Sequence, residues 1–164
     1  MKGTDKFLIT IVVGVIILAA AAIGVVLMQP EAEYLLDDMP EGVTHNYLLA
    51  IQNEDYERAY SYLSQDLLDY PHDVIEFQKD INNYSYWFRQ NTSNTIEILT
   101  TNIYGNIADV EARESTFYQG ELFDSGQRTR NFILKLQLTD DEWKIVDGDY
   151  YFVYCWNSDD GCRN

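Results

Sequence analysis

From Phe7 to Met28 the chain reads FLITIVVGVIILAAAAIGVVLM, 22 residues without a charge in which only Thr10, Gly14 and Gly24 are not apolar. As a helix rising about 1.5 Å per residue this run would be roughly 33 Å long, close to the hydrocarbon thickness of a bilayer. It has no polar face to offer water, so the first expectation is a transmembrane helix over residues 7–28. A cleaved signal peptide is the competing reading, with Ala20, Ala21 and Ala22 as a cleavage region. Such peptides carry an apolar region of about 7–15 residues, whereas here the run continues through Ile23, Val25, Val26 and Leu27. An uncleaved anchor is the better match, and no cysteine lies near the run to carry a lipid.

Orientation follows from the flanks. Lys2 and Lys6 precede the run, and Glu31, Glu33, Asp37, Asp38 and Glu41 follow it, with no basic residue before Arg58. Basic residues stay on the cytoplasmic side, which places the N-terminus inside and the rest outside. The expected organisation is a cytoplasmic tail over 1–6, the membrane helix over 7–28, a linker over 29–40 holding Pro30 and Pro40, and one extracytoplasmic domain over 41–164. The bilayer is then the first partner, at the cytoplasmic membrane.

The charge sharpens this division. The 164 residues hold 11 basic and 27 acidic side chains; with Lys2, Lys6 and Asp5 set aside, 9 and 26 remain for residues 29–164. A body so acidic lacks the basic footprint that holds nucleic acid. Its size suits one domain with a real core. Cys155 and Cys162 are the only cysteines, separated by the polar stretch WNSDDG. Outside the cytoplasm such a pair favours a disulfide hairpin, while free thiols are the alternative.

Within the body, Val43, Tyr47, Ala50 and Ile51 share a helical face, and Tyr56, Ala59, Tyr60 and Leu63 repeat at three and four residues after Asn53, a possible cap. Asp73 can cap a third helix carrying Val74, Phe77, Ile81, Tyr84 and Phe88, ending near Asn91. Strand patterns follow. Ile96, Ile98 and Ile103 precede a turn at Gly105-Asn106, and Ala108, Val110 and Ala112 alternate with Asp109, Glu111 and Arg113. Phe132, Leu134, Leu136 and Leu138 then face one way and Asn131, Ile133, Lys135, Gln137 and Thr139 the other, up to a turn at 139–142, which leads to Trp143, Ile145 and the aromatic run Tyr150–Tyr154. Helices first and an antiparallel meander second is the α+β pattern.

The segment VTHNYLLAIQNEDYERAYSYLSQDLL, the third helix and the hairpins ending in DDEWKIVDGDYY resemble the nuclear transport factor 2-like superfamily, particularly its small bacterial extracytoplasmic members. The likeness covers roughly residues 40–154 and rests on an Asp-Tyr turn between helices, the Ala59-Tyr60 pair and the closing Trp143-Lys144-Ile145 strand. It implies a cone in which three helices wrap a curved antiparallel sheet around a pocket, with Tyr60, Tyr84 and Phe88 as candidate lining residues. Members of this superfamily include isomerase- and dehydratase-like enzymes and many non-catalytic interaction domains, so fold does not choose the activity.

Catalytic groups are scarce. His45 lies one position off an apolar helical face, and His72 sits at a helix entry. Asp109, Glu111 and Arg113 oppose the apolar positions of their strand, which makes a solvated face the default and a general acid/base pair the alternative. Asp147-Gly148-Asp149 lacks the spacing of a calcium loop. No phosphate-binding glycine motif, metalloprotease motif or nucleophile elbow occurs, so no cofactor, metal or catalytic set is expected. The function expected is a non-catalytic accessory or scaffold subunit of an envelope or membrane protein complex. Its partners would be other membrane proteins or further copies of itself; acids interspersed with Tyr150, Tyr151, Tyr154 and Trp156 would suit such docking, though these aromatics fit equally well a sheet packed on the helices. The alternatives are a protein binding a small apolar ligand, or a lyase- or isomerase-type enzyme using the cone pocket.

Overall fold

The computed structural model describes residues 4–27, 33–84, 93–119 and 125–162. The chain divides into two compact units, Met1–Glu33 and Tyr34–Asn164. The first contains helix α1, Thr4–Leu27. Among the described residues no helix is long and apolar enough to cross a membrane. The membrane-spanning helix expected over 7–28 is therefore not a feature of the described structure. The side chains of Phe7 and residues 22–28 lie outside it.

The second unit begins inside the segment read as a linker. Its helices are α2 (Pro40–Gln52), α3 (Tyr56–Ser61) and α4 (Val74–Tyr84), followed by strands β1 (Ser93–Tyr104), β2 (Ile107–Gln119), β3 (Ser125–Thr139) and β4 (Glu142–Gly148) and a short 3-10 turn, Tyr154–Asn157. All three strand pairs are antiparallel, in the order β1-β2-β3-β4. This is the α+β arrangement that the hydrophobic periods imply.

Pro40 opens α2, where its missing N–H costs nothing. At the junction with α3 the cap is Asp55 rather than Asn53: its carboxylate accepts from Arg58 N at 3.3 Å, while Asn53 closes α2. Asp73 caps α4 by accepting from Glu76 N at 2.8 Å, and Glu76 reaches back to His72 N at 2.7 Å. Residues 85–92, where the sequence continues this helix, lie outside the described residues.

The sheet sorts its side chains by period two. Ala108, Val110 and Ala112 on β2 stand beside Leu136, Leu134 and Phe132 on β3, and all six are buried. Val43, Tyr47, Leu48, Ala59, Phe77 and Ile81 from the helices complete this core. On the opposite face Asp109, Glu111 and Arg113 join a solvated ladder. Arg113 donates to Asn131 at 3.2 Å, Asn131 donates to Glu111 at 2.8 Å, and Lys135 meets Asp147 at 3.0 Å. That ladder places Asp109 and Glu111 outside the core, which removes them as an acid/base pair inside a pocket. Irregular pairing at Ile98/Thr100 and Lys135/Leu136 bends the sheet.

After β4 the aromatic run is not a strand. Tyr151 adopts φ 57°, which breaks the alternation, so Tyr150, Tyr151, Phe152 and Val153 are all buried. Of the aromatics expected on an acidic docking surface, only Tyr154 is exposed; Tyr150, Tyr151 and Trp156 belong to the core. Their burial removes most of the surface on which that expectation rested.

Candidate functional site

The inner face of β2 continues past Ala112 to Glu114, which is 6% exposed. Two donors gather on it. Tyr151 Oη donates to Glu114 Oε1 at 2.6 Å and Asn94 Nδ2 donates to the same oxygen at 2.8 Å. Arg130 is its register partner on β3, with the guanidinium 4.8 Å over the Tyr150 ring. Burial pushes the Tyr150 phenol up to about 12, with Glu114 adding to the rise. Burial also raises the Tyr151 phenol, further helped by its bond to Glu114. Both phenols thus remain neutral donors, so a carboxylate that could take a proton sits beside a hydroxyl that could orient a substrate oxygen. Phe132 packs on both rings at 5.3–5.6 Å.

Beyond this polar end the interior is filled by the chain's own C-terminal segment. Trp156, fully buried, stacks on Phe77 at 5.5 Å and meets Phe152 edge-on at 5.1 Å. Its indole N–H donates to Asp80 Oδ2 at 2.9 Å. Burial raises the Asp80 carboxyl, while the indole bond and Lys79 oppose the rise and Glu76 and Asp69 add to it. The segment is closed by the disulfide Cys155–Cys162. Cys162 N donates to Asp69 at 2.6 Å, and Asp69 N donates to the Trp156 carbonyl at 3.0 Å.

A third feature is an open cleft of about 660 Å³ at the domain's rim, where residues 34–37, α2, the end of α3 and β4 meet. Its floor is Trp143, Tyr62 and Val43, all buried. One wall is fixed by Asn46. Its side chain accepts from Leu35 N at 2.7 Å, donates to Leu35 O at 2.8 Å, and also donates to Asp37. Gly42 allows this wall to lie close, because a Cβ there would collide with the Leu36 carbonyl. Tyr62 Oη lies 3.2 Å from Asp37 Oδ2; burial first, and then Asp37, push this phenol up to about 12. On the far side Arg58 stacks 3.8 Å over the Tyr34 ring, and Lys144 bonds to Glu142 at 2.7 Å and to the Ser61 carbonyl at 3.1 Å. The Lys144 bond holds the exposed Glu142 carboxyl below its ordinary value.

Of the sequence-predicted pocket residues, Tyr60 packs between Tyr70 and Phe77 and donates to the Pro71 carbonyl at 2.7 Å. The side chain of Tyr84, and Phe88 as a whole, lie outside the described residues. Cys155 and Cys162 are joined. Glu114 is legible only by extending the alternation of β2 two positions beyond Ala112. The cleft has no local signature, because Tyr34, Arg58 and Lys144 come from three distant segments. Among the described residues no group of His, Cys, Asp and Glu is placed to hold a metal.

No family model matches the chain, and no curated protein does. Solved structures do. A SEC-C motif containing protein from Rhodopseudomonas palustris is 12% identical with a TM-score of 0.49, over 71% of this chain and 81% of the other. A structure named for a calcium/calmodulin-dependent protein kinase type II association domain, from Thiobacillus denitrificans, is 8% identical with a TM-score of 0.48, over 67% and 91%. An NTF-2 like protein of unknown function from Shewanella oneidensis is 15% identical with a TM-score of 0.45, over 68% and 94%. At these values the likeness is one of overall arrangement and carries no argument about activity.

Proposed function

We propose that this chain is a membrane-held, extracytoplasmic domain of the nuclear transport factor 2-like type, serving as a non-catalytic accessory or scaffold subunit of a membrane-associated complex. The observation that carries the reading is the filled interior: Trp156 stacks on Phe77 at 5.5 Å where a cone of this type would hold a ligand. Membrane attachment rests on the sequence, through the uncharged run 7–28 and the basic residues that precede it. The disulfide suits the oxidising side of that membrane. Affinity purification from gently solubilised membranes tests the reading. A reproducible stoichiometric partner, or copies of the chain itself, is expected; a chain that always emerges alone would sink it. Reaction of a cysteine engineered near Glu41 with an impermeant reagent added from outside tests the topology.

A second reading, a lyase or isomerase, is favoured by one arrangement, the buried Glu114 carboxylate with Tyr151 at 2.6 Å. Glu114 would take the proton and Tyr151 would steady the developing oxyanion. If so, Glu114→Gln abolishes turnover of a cognate substrate while the fold stands.

A further inference from the structure

We propose that the rim cleft binds an amphipathic oxyanion, a carboxylate or phosphate group held by Arg58 and Lys144, with an apolar portion lying against Leu35, Val43 and Trp143. The cleft is separate from the filled interior, so this inference stands whether the chain is a scaffold or an enzyme.

Three observations lead to an anion. The Arg58 guanidinium lies 3.8 Å from the centre of the Tyr34 ring, and both residues line the cleft. Its ion pair with Asp55 is long, 3.8 Å, and both groups are 43% exposed; such a contact is weak and easily exchanged. A pre-oriented fork of N–H donors is the preferred partner of a carboxylate or phosphate. Second, Lys144 reaches the same cleft from β4, with its ammonium on the Ser61 carbonyl at 3.1 Å. The cleft thus gathers two cations in a chain whose net charge is −16. Third, the two carboxylates that line the cleft beside these cations, Asp37 and Glu142, each have a donor of the protein against them. Asp37 accepts from Asn46 and Tyr62, and Glu142 is the exposed partner of Lys144, open to displacement by an incoming anion.

The apolar requirement comes from the other wall. Leu35 is 53% exposed although the backbone beneath it is clamped on both sides by Asn46. The exposed Leu35 side chain, which lines the cleft with the rim of Trp143, is an apolar surface that gains by being covered.

The test uses the full chain in lipid nanodiscs, with empty discs as blank, titrated calorimetrically with phenylacetate, phenyl phosphate and phenethylamine. At least one of the two anions should bind saturably at one site, about tenfold or more tighter than the amine, and weaken as salt rises. The tighter of the two distinguishes a carboxylic acid from a phosphate ester as the source. Arg58→Gln should weaken binding by about tenfold or more, the loss of a charge-assisted bond. Glu142→Gln, which removes the competitor for Lys144, should tighten binding a few-fold. Equal binding of the amine, no saturable binding of either anion, an affinity unchanged in Arg58→Gln, or a weakening in Glu142→Gln would each overturn the proposal.

Discussion

The indole N–H of Trp156 donates to the Asp80 carboxylate at 2.9 Å, joining residues 76 positions apart. The bond ties the last turn of the chain to α4 and puts a carboxylate in a buried setting. Asp80→Asn keeps an acceptor and removes a charge, so at neutral pH it should be neutral or stabilising. Asp80→Ala strands the indole N–H and should cost about 1–3 kcal/mol. Urea midpoints of both variants separate the two outcomes.

The same residue sets a pH dependence. Burial raises Asp80 above its ordinary 3.8, so the folded state holds this proton more tightly than the unfolded one. Its contribution is therefore most favourable below 3.8 and declines as pH rises through the higher folded value. Comparing urea midpoints across that window, the wild type should lose stability relative to Asp80→Asn as pH increases. Parallel curves would remove Asp80 as the cause.

Reduction of the disulfide should lower stability by about 2.5 kcal/mol on the loop-entropy estimate. The bond Cys155–Cys162 closes the segment that carries Trp156, so the thermal midpoint should fall and the indole emission should move to the red on partial unfolding. A Cys155→Ser, Cys162→Ser double variant gives the same comparison without a reductant.

At Asn46 three hydrogen bonds converge on residues 35–37. Asn46→Ala should cost about 2–3 kcal/mol, and limited proteolysis should then cut near residues 34–39 in otherwise folded protein. Gly42→Ala acts on the same segment through the Leu36 carbonyl. The two changes should be less than additive in a double-mutant cycle, because either one alone frees residues 35–37 from α2.

What could be read in advance depended on periodicity. Ala108, Val110 and Ala112 on β2 alternate with Asp109, Glu111 and Arg113, and Phe132, Leu134 and Leu136 on β3 alternate with Ile133, Lys135 and Gln137, so their parity marks the inner face. Glu114 keeps that parity but changes chemistry; a carboxylate at the end of an apolar alternation looks like a strand leaving its core. Only the fold brings Tyr151 and Asn94 to it. The run Tyr150–Tyr154 misled for the opposite reason. Its composition is that of a strand, yet the left-handed backbone at Tyr151 turns successive rings inward, a conformation that composition does not signal. The cleft was invisible because it needs residues from positions 34, 58 and 144 at once.

The clamp at Asn46 also governs how the domain would carry load. A pull applied to the chain before residue 34 meets the Tyr34–Arg58 contact and then Asn46, and Asn46 sits on α2, whose Tyr47 is bonded to the Tyr151 carbonyl at 2.6 Å. Tension is therefore delivered to a helix locked against the C-terminal segment. The first strand of the sheet begins at Ser93, and before it the chain touches the sheet through the Leu63–Ile145 bridge. Under a pull from this end, residues 34–39 would peel from α2 first while the core stayed closed.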